Sequence, residues 1–190
     1  MSPRGLLVVV SGPSGVGKDT VLHRVFELDP SLSYSVSYTT RRPRPGEVDG
    51  RDYSFVDDAE FDRMIGAGDL LEWEPVHTHG SGTGRSRVEA ALDAGRDIVL
   101  NIDVKGGLEI RKLVDGPLLV FLAPPDLEEL DRRRRARGTE DRAELEKRPS
   151  DAQIEMGYSD QYDAIVVNDD VDRAAKEILK LIERRRGAAA

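Results

Sequence analysis

Short unbroken apolar runs recur along the chain, and most are followed by a stretch whose apolar residues return every three or four positions. Leu6-Leu7-Val8-Val9-Val10, Ile98-Val99-Leu100-Asn101-Ile102, Leu118–Leu122 and Ala164–Val167 are too short for helices. They also lack the apolar–polar alternation of a half-exposed strand. Such runs belong to strands buried on both faces, the condition of a parallel sheet. After the first run, Val21, Leu22, Val25 and Phe26 fall on one side of a helix over Lys18–Leu28. Further helices are expected near Lys105–Val114, Leu127–Arg137, Arg142–Met156 and Val171–Arg185, with the one over Arg142–Met156 broken or kinked at Pro149. Strand alternating with helix predicts an α/β fold, a parallel sheet core flanked by helices.

Residues 37–95 break this rhythm. Arg41-Arg42-Pro43-Arg44-Pro45-Gly46 reads as a loop, and Asp57 followed by Glu60 resembles a capping box before a helix over Phe61–Ala67. Leu70–Glu72 reads as a short strand, and His79-Gly80-Ser81-Gly82-Thr83-Gly84 as a very flexible turn. The block is expected to be inserted into the α/β core and to move against it. A second mobile segment is expected at 132–149, and a frayed end at 187–190.

Composition narrows the classes. A chain of 190 residues is one domain, large enough for a core without covalent staples. With no cysteine, it has no disulfide, thiolate metal site or cysteine nucleophile, which fits a reducing compartment. No signal peptide or membrane-length apolar run is visible, so a cytoplasmic protein without a membrane partner is expected. The net charge of −8 argues against a general nucleic-acid binder. Oligomerisation stays open.

The candidate chemistry starts at SGPSGVGKDT, between the first strand and the first helix. Gly12, Gly15 and Gly17 let backbone N–H groups turn inward around an anion, and the helix adds its positive end. Lys18 can reach the outer phosphates of a nucleotide, which makes this a phosphate-binding loop. The motif takes Ser or Thr after the lysine, and here Asp19 stands there. An aspartate can hold the waters of magnesium or simply sit at the helix start, where an anion is favoured. Thr20 beside it offers a hydroxyl to a phosphate. Asp103, at the end of the second buried strand, is placed either to organise magnesium or to cap the next helix. Arg132, Arg133, Arg134, Arg135, Arg137 and Arg148 form a basic group of which one or two can clamp a transferring phosphoryl. Arg41 and Arg44 offer guanidinium forks to an acceptor phosphate, and Tyr53 a phenolic donor. Glu72 can accept both N1–H and the exocyclic amine of guanine, a pairing adenine cannot match.

The sequence resembles the guanylate kinase family, which phosphorylates GMP with ATP. The resemblance covers about residues 5–185 and rests on SGPSGVGK, SVSYTTRRPRPGEVDGRDYSFV, LLEW, IDVKGG, FLAPPDLEEL, RARGTE and VVNDD. It implies a P-loop NTPase-type core over residues 1–36, 96–131 and 160–190, an inserted GMP-binding subdomain over 37–95, and a mobile lid over 132–159. It further implies ATP as co-substrate, magnesium, and GMP or dGMP as acceptor. Gly12, Pro13, Ser14, Gly15, Val16, Gly17, Lys18, Asp19 and Thr20 would hold ATP together with Arg133, Arg137 and Asn168, the last near adenine. Ser37, Arg41, Arg44 and Tyr53 are implied at the GMP phosphate, Glu72 and Thr83 at the base, and Asp103 near magnesium and substrate. Asp19, Thr20 and Asp103 form the implied metal set. Lys18, Arg44, Asp103, Arg137 and Arg148 are implied in catalysis.

Several positions depart from the family pattern. Members read N-Y-Y-G-T where this chain has His79-Gly80-Ser81-Gly82-Thr83, so Ser81 stands where a phosphate-binding tyrosine is expected. The lost hydrogen bond would weaken GMP binding by roughly 1.5–3 kcal/mol, unless His77, His79 or a water substitutes. Asn101 stands where many members carry an acid. The altered turn leaves room for a P-loop kinase acting on another phosphorylated acceptor. A non-catalytic guanylate-kinase-like binding module is the remaining alternative.

Overall fold

The computed structural model describes residues 4–76, 79–137 and 152–189. In chain order the elements are β1 (Leu7–Ser11), α1 (Lys18–Leu28), β2 (Ser33–Tyr34), β3 (Tyr38–Thr39), β4 (Ser54–Phe55), α2 (Asp58–Ala67), β5 (Leu70–Val76), β6 (His79–Gly84), α3 (Arg85–Asp93), β7 (Ile98–Asn101), α4 (Val104–Leu113), β8 (Leu118–Ala123), α5 (Leu127–Arg137), β9 (Ala164–Val167) and α6 (Val171–Ala189).

Five strands form a parallel sheet in the order β2-β7-β1-β8-β9. The apolar runs behave as their composition requires, because β1 and β8 are buried on both faces. Val8, Val10, Val120 and Leu122 face one cluster with Val21, Leu22 and Val25 of α1 and Ile178 and Ile182 of α6. Leu7, Val9, Leu119 and Phe121 face the other, with Val88 and Leu92 of α3 and Ile110 of α4. A fully buried Val, Leu or Phe contributes roughly 1.5–3 kcal/mol, so the two faces together carry most of the driving force. Because the strands are parallel, their C-terminal ends all open on one edge, where open α/β sheets bind ligands.

The second sheet has four strands, β4-β3-β6-β5, with β6 antiparallel to both its neighbours. The helix α2 covers one face through Phe61 and Met64, packed against Leu70. Asp57 caps α2 as its spacing predicts, its Oδ1 accepting from Glu60 N–H at 2.8 Å. The Glu60 carboxylate takes Arg63 instead of reaching back to the cap.

The structure corrects several local expectations. Residues 79–84 are not a flexible turn but the central strand β6, hydrogen-bonded on both sides. Its glycines serve close approach: a Cβ on Gly80 would lie 2.5 Å from the Phe61 ring, and one on Gly82 3.0 Å from Glu72 O. The strand expected at Leu70–Glu72 continues to Val76, because β6 supplies it with a partner. The helix α3 had no prediction; only Val88, Ala91 and Leu92 mark its buried side. Of the helix expected over Arg142–Met156, residues 152–156 are helical, and Pro149 lies outside the described residues.

The loop after β1 depends on one close approach. Gly12 has φ 154°, and a Cβ there would sit 2.1 Å from Leu122 O on β8. That carbonyl belongs to the neighbouring central strand and cannot yield locally. Gly12→Ala is therefore expected to lower stability by more than ~2 kcal/mol, read as a fall in the denaturation midpoint. An unchanged midpoint would contradict this account of the loop.

Candidate active site

Residues 12–17 leave β1 and enter α1 at the open edge of the parallel sheet. Gly17 is the N-cap of α1 in a left-handed conformation and, having no side chain, leaves the first helical N–H groups without a side-chain acceptor. That is the geometry in which a helix start takes an anion. Lys18 arches over the loop, its Nζ donating to Gly12 O at 2.6 Å and to Pro13 O at 3.4 Å. Val16 is fully buried and anchors the loop in the core, whereas Ser14, Asp19 and Thr20 are exposed.

Two side chains brace this loop from beneath. Asn168, just past β9, is 3% exposed and donates its Nδ2 to Val16 O at 2.7 Å. Its Oδ1 is buried with no hydrogen-bond partner, an acceptor left open beside the loop. Arg133 on α5 donates to Val16 O at 3.2 Å and to Asn168 O at 3.1 Å, while Glu129 takes its Nε at 2.7 Å. Of the basic group on α5, Arg133 is thus brought to the nucleotide loop. Arg132 reaches Glu129, and Arg135 is exposed. The side chains of Arg134 and Arg137, and all of Arg148, lie outside the described residues, as does half of the lid expected over 132–159.

Asp103 caps α4, its Oδ1 accepting Gly106 N–H at 2.8 Å, while its carbonyl takes Ser11 Oγ at 3.1 Å. The helix-cap role open to it from the sequence is therefore filled. Asp19 accepts from Asn101 Nδ2 at 2.6 Å.

The smaller sheet carries the other half. Glu72 is register partner of Thr83, and Tyr38 and Thr39 of β3 pair with Gly82 and Ser81 of β6. Tyr38 and Thr39 also pair with Ser54 and Phe55 of β4. Continuing both registers by one residue sets Tyr53, Ser37, Thr83 and Glu72 in a single line across four strands. Three strand spacings make that line ~14 Å long. A second line beside it holds Phe55, Thr39, Ser81 and Glu74. Both lie on the sheet face opposite α2.

At one end of the first line Thr83 Oγ1 donates to Glu72 Oε1 at 2.6 Å, with both side chains buried. The other oxygen, Oε2, lies against Gly106, where a Cβ would come within 2.9 Å. Burial pushes the Glu72 carboxyl up to about 7, assisted by the negative field of Asp103 and opposed by the Thr83 hydrogen bond. At the other end the Arg41 guanidinium stacks 4.7 Å from the Tyr53 ring centroid and 5.5 Å from that of Phe55. Glu47 grips Arg41 through both nitrogens, at 2.7 and 2.6 Å, and takes Arg44 N–H at 2.7 Å. That carboxylate holds the fork in the geometry a phosphate would use. The Arg41 hydrogen bonds keep Glu47 below its ordinary range. Arg44 itself is exposed.

Two participants escaped the sequence reading. Glu47 carried no signal beyond its place six residues after Arg41. Glu74 was passed over because β5 was expected to stop at Glu72. It faces Ser81 across β5 and β6, and burial followed by the field of Asp103 raises its carboxyl to about 7, with a hydrogen bond to Asp103.

The donors suit a hard cation that keeps most of its water. Among the described residues no group of three or more His, Cys, Asp or Glu could hold a metal ion by itself. Magnesium bound mainly through phosphates asks only for one or two carboxylates, and Asp19 and Asp103 are of that kind. Among the described residues no helix is long and apolar enough to cross a membrane.

A glycine loop between a central parallel strand and a helix, with acids at the ends of neighbouring strands, defines a P-loop nucleotide-binding protein. The family model for guanylate kinase matches residues 4–185. A guanylate kinase of Nocardia farcinica is 49% identical over 180 residues, covering 94% of this chain and 93% of that one. One of Salinibacter ruber is 48% identical, covering 94% and 95%. The crystal structure of guanylate kinase from Anaplasma phagocytophilum superposes with a TM-score of 0.80 at 32% identity, covering 96% of this chain and 87% of that one. The chain belongs to the guanylate kinase family.

The burial of Glu72 sets a pH dependence. Its folded value, about 7, lies above the ordinary 4.5, so the folded state binds more protons than the unfolded state between these values. Its contribution to stability is complete below the lower value and is lost as pH rises through about 7. Glu72→Gln, which cannot ionise, is therefore expected to stabilise the protein at pH ~8 by on the order of 3 kcal/mol and to change little at pH ~5. Denaturant melts at the two pH values check it, and equal effects at both would refute the assignment.

Proposed function

We infer that the protein transfers the γ-phosphoryl group of ATP to GMP, giving ADP and GDP. The observation that carries this reading is the line Tyr53–Ser37–Thr83–Glu72, which ends on the buried carboxylate beside Asp103. Its length suits a nucleoside monophosphate lying across the strands. In this reading Glu72 accepts the paired N–H donors of guanine while Thr83 fixes the carboxylate's orientation. An adenine would leave that buried group facing an acceptor, which is how strong discrimination arises. Arg41, Arg44, Ser37 and Tyr53 hold the acceptor phosphate, whose two charges compete with Glu47 for the Arg41 fork.

Residues 12–20, Lys18 among them, cradle the phosphates of ATP, braced by Arg133 and Asn168. Asp19, Thr20 and Asp103 would hold magnesium through water, and the ion would neutralise charge on the β- and γ-phosphates. An oxygen of the GMP phosphate attacks the γ-phosphorus, the new P–O bond forms as the bond to ADP breaks, and ADP carries away the electron pair. No side chain need become covalently attached; the protein positions the two phosphates and neutralises their charge. Arg137 and Arg148 would add to that neutralisation from the lid, residues 132–159, closing over the core while the GMP-binding insert, residues 37–95, moves towards it. A cytoplasmic location and dGMP as a second acceptor belong to the same reading. Neither a different acceptor nor a non-catalytic binding module gains support from the comparisons, and the buried Glu72–Thr83 pair speaks for guanine.

A coupled assay of ADP release with ATP, Mg²⁺ and a panel of GMP, dGMP, IMP, AMP and UMP tests the assignment. Turnover is expected with GMP and dGMP and is expected to be at least ~100-fold poorer in kcat/KM with AMP. Equal use of AMP, or no ADP release at millimolar GMP, would sink it. The GMP KM from the same assay also reads the cost of Ser81.

Gly106 is a sharper probe of the base site. A Cβ there meets only the end of the Glu72 side chain and Asp103 Oδ1. Gly106→Ala should displace the carboxylate while leaving the fold intact, raising the GMP KM by about tenfold or more and leaving the ATP KM within about twofold. An unchanged GMP KM would show that Glu72 does not read the base.

A further inference from the structure

Asp19 and Asn101 lie at the ends of two adjacent structures, the start of α1 and the end of β7. Val10 and Asn101 are register partners in β1 and β7, and the phosphate loop carries the chain from β1 round to Asp19. The two side chains meet there, Asn101 Nδ2 donating to Asp19 Oδ1 at 2.6 Å. Asp19 itself is exposed.

The motif's usual residue after the lysine carries a hydroxyl, which donates and accepts; a carboxylate only accepts. An acid at residue 19 therefore needs a donor beside it, and the amide of Asn101 is that donor. An acid at 101 as well would set two negative charges at hydrogen-bond distance. We propose that Asp19 and Asn101 work as a coupled pair: Asn101 is a positioning residue that holds one oxygen of Asp19, leaving the other to the water shell of the cation that accompanies the nucleotide. This rests on reading the loop as the ATP site. The two residues then divide one task, with the negative charge at the helix start and the donor at the strand end. Exchanging them, as in Asp19→Ser with Asn101→Asp, keeps one charge and one donor and merely reverses the bond.

The test uses the full chain with ADP and Mn²⁺ as a paramagnetic stand-in, reading the Mn²⁺ affinity of the ADP complex by electron paramagnetic resonance. Asp19→Ser is expected to weaken Mn²⁺ about tenfold, the cost of losing an outer-shell partner. Asn101→Ala should weaken it by a similar factor alone and not at all in the Asp19→Ser background, where nothing is left to position. The exchanged double variant should return to within about threefold of the unaltered chain. Equal effects of Asn101→Ala in both backgrounds, or an exchanged variant as weak as Asp19→Ser, would overturn the pairing. ADP affinity in chelator, measured by calorimetry, separates the two readings. If the unaltered chain fails to bind ADP, the site assignment itself falls; if ADP binds normally and the Mn²⁺ effects are additive, only the pair falls. Thermal midpoints within a few degrees across the set exclude misfolding as the cause.

Discussion

The first turn of α4 is the contact on which both sheets depend. Asp103 caps that turn through Gly106 N–H and takes Ser11 through its own carbonyl, so the end of β1 is tied to the start of α4. Two glycines make the tie close enough to matter. A Cβ on Gly107 would fall 2.4 Å from the Tyr162 hydroxyl and 2.8 Å from Ser11 Oγ, and one on Gly106 would fall against Glu72. Tyr162 in turn donates to Val104 O at 2.9 Å and packs edge-on against Phe121 of β8. The phosphate loop, the end of β7 and the buried Glu72 carboxylate are therefore referred to one corner. Their relative positions follow from backbone geometry more than from side-chain choice.

The parallel core was legible because its signal is redundant. A strand such as Leu7–Ser11 must be apolar at every position to satisfy both faces, and such a run tolerates little else. The smaller sheet was not legible by the same logic. β3 and β4 are two residues long and β6 reads HGSGTG, so there is no period to detect. The glycines of β6 were read as freedom when they mark crowding, by Phe61 at Gly80 and by Tyr38 at Gly84. Sequence distinguishes these two uses of glycine poorly, because both are defined by what lies across the fold.

Site residues divide along the same line. Lys18 closes a glycine-rich loop motif, and Asp103 and Glu72 stand at the ends of apolar runs, where a polar residue has few purposes other than function or capping. Asp103 serves as a cap in any case. Glu47 and Glu74 gave no such signal, since each looks like one more acid on a strongly acidic chain. Register shows that Glu74 faces Ser81, and an ion pair shows that Glu47 fills the Arg41 fork. Asn101 showed in the sequence only as a departure from the family pattern, because the residue it touches is 82 positions away.

The two ends of the acceptor line solve one electrostatic problem in opposite ways. Each must keep a charge ready for a ligand without exposing it to water. At the end proposed for the phosphate, the Arg41 guanidinium is held and oriented by the Glu47 carboxylate. At the other end Glu72 is buried and takes the Thr83 hydroxyl, and burial pushes its carboxyl up to about 7. Burial raises the cost of the anion and also the penalty for any base that fails to offer donors. The base-reading role proposed for Glu72 would make selectivity greatest above pH ~7, where that charge is present before the ligand arrives.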